Sequence, residues 1–420
     1  MKIEMHEEVN MAKSTIVGTY KIHVGNYDWG CSVDKAILTL DREMGPGDIG
    51  RFTDIRVRER KLIADESGPE HEILEVVSER KVTGCYLSDE NGEPADEAGS
   101  HVTIELYVSP EEGSPLVPVS KTQIFVWSDP YELRIECDGL DINPVSTGRI
   151  TAADIFRKES HVTSDGTRYD YAEYVPENEV DTLYVWLHGL GEGQKEGSDV
   201  YLPLLGRKGC SMAGREFQDM IGGARVLVPQ CPTYWMDRDG KESNFADGRI
   251  QADGTSYYTD SLAEFIQEYR EEYHLKRVVL AGCSNGGYMC LMLALRDPDR
   301  YCAVVPICEA VPDETLTDEQ IRTLAGVPLY FVYSLDDPIV PPEVHEIPTI
   351  RRLRETGCKD LHVSETDQVI DTSGKYRAED GSPYCYMGHL SWIYYDNNVT
   401  NDGNGLSAWA WIARKIAEDK

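Results

Sequence analysis

Nowhere in this 420-residue chain does a run of uncharged apolar residues reach the ~18 that a membrane-spanning helix needs. The opening stretch MKIEMHEEVNMAKSTIVG has no apolar run behind its basic residue, so a soluble, unexported protein is expected. Cysteine spacing of any recognisable kind is missing too. The 11 cysteines form no C-x-x-C pair and no Cys/His cluster at zinc-ligand spacing, so neither a zinc site nor a disulfide framework is predicted. Reduced, mostly buried thiols in a cytoplasmic protein fit that pattern. Basic charge is scarce: 41 Lys+Arg stand against 74 Asp+Glu, a formal charge of -33 that would repel phosphate backbones and acidic headgroups. Neither nucleic acid nor a membrane surface is therefore expected as a partner. Internal repeats and low-complexity tracts are also absent. What is present is an ordinary globular composition, 41% hydrophobic, in a chain longer than one core usually supports, so two domains are expected.

The two have different patterning. From Thr15 to about Asp141 short bursts alternate polar and apolar residues, as in TIVGTYKIHV, KAILTLD, RFTDIRVRERK, HVTIELYV, TQIFVW and YELRIEC, with turn residues such as DENGEP between them. Period-two patterning broken by turns predicts an antiparallel β-sandwich. From about Arg168 the bursts become near-continuous apolar runs, TLYVWLHG, ARVLVPQ, RVVLAG, CAVVPIC and PLYFVYS, the mark of strands buried on both faces of a parallel sheet. Helical segments separate them. TDSLAEFIQEYREEYHL sets Leu262, Phe265, Ile266 and Tyr269 on one face, and LSAWAWIARKIAED closes the chain similarly. The expected architecture is an all-β sandwich over residues 1–155 and an α/β doubly wound domain over 156–420, joined within NPVSTGRITAADIFRKESHV.

Between RVVLA and the apolar GGYMCLMLALRD lies Gly282-Cys283-Ser284-Asn285-Gly286, a G-x-S-x-G in the strand-to-helix context where a serine can project from a strained turn. A look-alike, Gly209-Cys210-Ser211-Met212-Ala213, has no buried strand before it, so Ser211 is read as a loop or cap serine. A serine hydroxyl needs a base to take its proton and a third group to orient that base, and in this arrangement the order along the chain is Ser, acid, His. LDDPIVPP follows the strand VPLYFVYS and offers Asp336 and Asp337; Asp337, opening D-P-I-V-P, is the predicted acid and Glu309 the reserve. Of the later histidines, His345 follows the acid too closely and His362 sits inside the strand DLHVSE. His389, in the loop YMGHLSWIYY, is the predicted base. Oxyanion donors are expected from the backbone N–H of Asn285 and, in the Gly-loosened turn HGLGEG, that of Leu190, with His188 a structural hydrogen-bonder. Those glycines do not make a phosphate loop, because no Lys-Ser/Thr follows at the required spacing. Tyr234, Trp235, Tyr384, Tyr386 and Trp392 lie on loops expected to face the site; Trp235, Tyr234 and Trp392 are the candidate substrate contacts.

Taken in order, HGLGEG, VPQCP, GCSNGGYM, DDPIVPP and GHLSWIYYDNN resemble an α/β-hydrolase of the esterase and polyhydroxybutyrate-depolymerase-like group, with a prolyl-oligopeptidase-like catalytic domain, over about residues 168 to 420. The sandwich ahead of it is similar in architecture to the immunoglobulin-like domain of certain bacterial esterases. The resemblance implies a serine carboxylic-ester hydrolase that passes through an acyl-enzyme, with no metal and no organic cofactor. Its partner would be a small soluble ester, with aryl, cinnamoyl or acetyl-sugar esters as the classes an aromatic site suits. A peptidase or amidase is the second expectation, although the first 150 residues or so are too few for the β-propeller of a prolyl-oligopeptidase. A non-catalytic binding protein working through the sandwich is the third. That region could wall the cleft, bind carbohydrate or mediate a homo-oligomer, and no residue in it has a chemical signature that chooses.

Overall fold

The computed structural model describes residues 15–65, 72–118, 124–194, 198–241 and 252–418. The opening stretch read for a leader, and the start of TQIFVW, lie outside the described residues. From the β-branched bursts come two long strands, Ile16–Tyr27 and Gly30–Met44, paired antiparallel as the core of a six-stranded sheet. A three-stranded sheet, Glu72–Arg80, Arg56–Asp65 and Tyr131–Glu136, completes an antiparallel β-rich unit. Inside it Arg80, almost unexposed, donates to Glu59 at 2.8 Å and to two backbone carbonyls, those of Val33 and Tyr107, so this buried cation is fully paired.

The apolar runs form one eight-stranded sheet that starts at Arg157. Its first two strands, Arg157–Val162 and Arg168–Tyr174, run antiparallel to their neighbours, and the rest run parallel. Every residue of Thr182–Leu187, Arg277–Cys283, Ala303–Ile307 and Leu329–Ser334 is buried, which is why their sequences show no alternation. One face is covered by Thr259–Glu272 and Asn285–Arg296; the other packs on the C-terminal helix Ala408–Glu418, whose core continues into the sandwich. This is the α/β-hydrolase arrangement, preceded by an immunoglobulin-like β unit. No helix among the described residues is long and apolar enough to cross a membrane.

The tip of the first hairpin leans on the larger domain. The Asn26 side chain donates to the Leu204 carbonyl at 3.3 Å and accepts the Cys210 N–H at 3.1 Å. Gly30 at that tip has φ +121°, a conformation that favours glycine, and a Cβ there would also come within 3.2 Å of the Gly206 carbonyl.

Candidate active site

Ser284 caps the helix Asn285–Arg296 with φ +54° and ψ -117°, strained for a residue with a side chain. Its N–H donates to the Ile307 carbonyl at 2.9 Å, and glycines on either side let neighbouring backbone close in. A Cβ on Gly286 would sit 2.0 Å from the Leu187 carbonyl oxygen, and one on Gly282 2.7 Å from that of Gly286. Gly286→Ala should therefore cost about 3 kcal/mol through overpacking, read as a lower urea midpoint; an unchanged midpoint would mean the backbone can open there.

Three side chains from separate loops converge on this turn. The His389 Nε2 lies 3.0 Å from the Ser284 Oγ, and its Nδ1 lies 2.8 Å from the Asp337 Oδ2. A carboxylate only accepts, so Nδ1 carries the proton donated to Asp337 and Nε2 is left to accept from the serine hydroxyl. The other oxygen of Asp337 accepts the N–H groups of Ile339 and Val340, at 2.8 and 2.9 Å, which locks the carboxylate. Asp337 is 5% and His389 7% exposed, so the pair is shielded from bulk water. Cys308, Asp337 and His389 place their ligand-type atoms within 4.8 Å of one another, but the last two are already engaged with each other.

The other candidates fall elsewhere. Asp336 is exposed and accepts from the Ser334 hydroxyl at 2.5 Å. His345 bonds the Pro341 carbonyl, while His362 bonds Asp402 and stacks on Tyr330. Ser211 is in a 3-10 turn and its buried hydroxyl has no hydrogen-bond partner. His188 accepts the Cys231 N–H at Nε2 and donates from Nδ1 to the Gly189 carbonyl, so it braces the turn; burial pushes its pKa down to about 4 and keeps it neutral. Leu190 and Asn285 are each the first residue of a helical turn, where N–H groups have no intrahelical acceptor.

Glu309, the reserve acid, does not reach the histidine. It is buried with one oxygen on the Val311 N–H at 2.7 Å and the other unpartnered, and it faces Glu346, also buried with both oxygens unpartnered. Burial pushes the Glu309 carboxyl up to about 8 and raises Glu346 as well, with the repulsion between the two adding to it. Raised folded-state values mean the native state holds protons that the unfolded chain releases. Their stabilising effect is complete below the usual value of 4.5 and is lost as pH climbs through about 8. Melting temperature should fall between about pH 5 and 8, and Glu346→Gln should flatten that fall; a profile equally steep in the variant would contradict the assignment.

Two substrate-contact expectations need correcting. Trp235 and Tyr234 are 0% and 1% exposed, respectively, and Trp235 packs against Tyr169, His188 and Tyr258 in the core. The Asn285 side chain accepts the Trp235 N–H at 2.8 Å and holds that loop, whereas sequence reasoning gave Asn285 a role only through its backbone, as an oxyanion donor. Trp392 is half-buried and meets His389 edge-on at 5.5 Å. Beside it stand Tyr384 and Tyr386, and Trp29 from the sandwich hairpin packs onto the same cluster while stacking on Tyr27 at 5.0 Å. Sequence reasoning missed Trp29, whose one signal was a large aromatic at a turn tip in NYDWGC.

Comparison with known proteins agrees with this architecture. Residues 19–140 match the model of the esterase Ig-like N-terminal domain, and residues 233–331 that of the alpha/beta hydrolase fold. Among curated proteins no relative matches. A solved thermostable esterase superposes with TM-score 0.67 at 19% identity, covering 91% of this chain and 96% of its own. A ferulic acid esterase reaches only 0.42 at 13% identity, over 62% of this chain and 98% of its own, and carries no weight here. The chain thus joins an esterase Ig-like N-terminal domain to a domain of the alpha/beta hydrolase fold.

Proposed function

We propose that this hydrolase is a serine esterase acting on small soluble esters through an acyl-enzyme. The observation that carries it is the unbroken hydrogen-bond line from the Ser284 hydroxyl through His389 to Asp337. In this mechanism His389 Nε2 takes the serine proton as Oγ attacks the ester carbonyl, and Asp337 stabilises the imidazolium that forms. The N–H groups of Leu190 and Asn285 bind the oxyanion. The proton then passes to the leaving alcohol, and a water activated by His389 releases the acid. The division of the chain near residue 155 belongs to the same proposal, as does a reducing compartment, supported by 11 cysteines that form no disulfide with one another.

Trp392 beside His389, in the same aromatic cluster as Tyr384, Tyr386 and Trp29, favours an aryl or cinnamoyl group on the substrate. A panel of acetate, butyrate and cinnamate esters, run beside aminoacyl-arylamides, tests both points. Esters should turn over and arylamides should not; turnover of amides alone would replace esterase by peptidase. Trp392→Ala should lower kcat/KM for the cinnamate ester about tenfold more than for the acetate, from the lost aromatic contact.

A further inference from the structure

Glu192 stands in the turn that carries Leu190, yet nothing in the mechanism above uses it. Its side chain is only 16% exposed, and its Oε2 is buried without a hydrogen-bond partner. Two glycines make room for it: a Cβ on Gly206 would come within 2.7 Å of Glu192 Oε1, and one on Gly189 within 3.2 Å of Oε2. Gln230 Nε2 holds the Glu192 carbonyl at 3.0 Å, so the backbone beneath the carboxyl is anchored to the neighbouring strand.

Across from it lies Arg207, itself 3% exposed, with its guanidinium 3.4 Å above the Trp186 ring. Arg207 Nε donates to Asp396 Oδ2 at 2.8 Å, and its Nη2 meets the other Asp396 oxygen. Asp396 ends the short helix Trp392–Asp396, which begins just after His389 and whose Trp392 touches that imidazole. Burial pushes the Glu192 carboxyl up to about 7 against the pull of Arg207, so near neutrality it is shared between acid and carboxylate. Either form can accept a hydrogen bond from the turn.

We propose that Glu192 is a positioning residue: its carboxyl fills the space between Gly189 and Gly206 and, with Arg207 and Asp396, ties the Leu190 turn to the helix that follows His389. It rests on the serine-esterase reading, because the turn matters to catalysis only if Leu190 supplies an oxyanion donor. Loosening that donor weakens an interaction made in the transition state and not in the ground state, so the loss falls on kcat and spares KM. A displacement of about 1 Å is enough for a loss on the order of 100-fold.

The experiment compares parent, Glu192→Ala, Glu192→Gln and Glu192→Asp on p-nitrophenyl acetate, with rates per active site counted by fluorophosphonate titration. Glu192→Ala should lose about 30- to 100-fold in kcat with KM within about threefold, and Glu192→Asp, a milder change that keeps the carboxyl, about tenfold. Glu192→Gln, which keeps shape and an acceptor oxygen, should recover kcat to within about fivefold of the parent. If the alanine variant does not fold, the aspartate and glutamine pair decides by the same contrast. A kcat within twofold of the parent in the alanine or aspartate variant overturns the proposal, as does a loss confined to KM or an equal loss in all three. A parent that the fluorophosphonate fails to label overturns the serine reading itself, whereas a labelled parent with unaffected variants overturns Glu192 alone.

Discussion

Ser284→Ala is expected to lower kcat for an activated acetate ester by about ten-thousand-fold or more while the fold is retained. The hydroxyl is the group that would form the covalent bond, and without it only binding and the oxyanion donors act on a water molecule. Retention of the fold follows from the small volume removed and from the backbone nature of the contacts around the turn, the Ser284 N–H on Ile307 and the Tyr288 N–H on the Ser284 carbonyl. Alanine must still adopt φ +54°, which the surrounding glycines and strands impose. Circular dichroism and melting close to the parent, with turnover lost, is the predicted pair of results. Turnover above about one per cent of the parent would mean that another residue supplies the nucleophile.

Asp337→Asn should reduce kcat by about a thousand- to ten-thousand-fold at neutral pH through a single proton position. Asp337 Oδ1 accepts two backbone N–H groups, from Ile339 and Val340, so an asparagine there keeps its carbonyl on that side. Its NH2 then faces His389 Nδ1 and turns that nitrogen into an acceptor. The proton moves to Nε2, directly opposite the Ser284 hydroxyl, and the base can no longer accept. Fluorophosphonate labelling should slow in parallel, because it needs the same proton transfer. Glu309→Gln, made as a control, leaves this line intact and should hold kcat within about threefold; the reverse ranking of the two variants would make Glu309 the acid.

Much of this was legible in the sequence because the physics involved is local. A strand buried on both faces must be apolar throughout, so TLYVWL, RVVLAGC and LYFVYS announced the parallel sheet, and chain order then placed Asp337 and His389 on loops at one edge of it. What escaped either carried no apolar signal of its own or was set by partners in other segments. Arg157–Val162 is exposed along nearly its whole length and carries no apolar signal, although it opens the large sheet by pairing with Arg168–Tyr174. Trp235, in a stretch rich in polar residues, read as an open loop until the Asn285 side chain and the rings of Tyr169 and Tyr258 were seen to enclose it. Trp29 and Glu192 are ordinary residues in their own segments; Trp29 gains meaning only from the cluster it shares with Trp392, near the other end of the chain, and Glu192 from the buried charge of Arg207 that the fold sets across from it.

The central claim is that Ser284 is the nucleophile, and mapping the site of covalent modification tests it most directly. The intact protein is treated with a fluorophosphonate, digested, and its peptides sequenced by mass spectrometry. One adduct on the peptide bearing Ser284, absent after Ser284→Ala and unaffected by Ser211→Ala, is the predicted result. An adduct that survives Ser284→Ala and disappears in Ser211→Ala would contradict it.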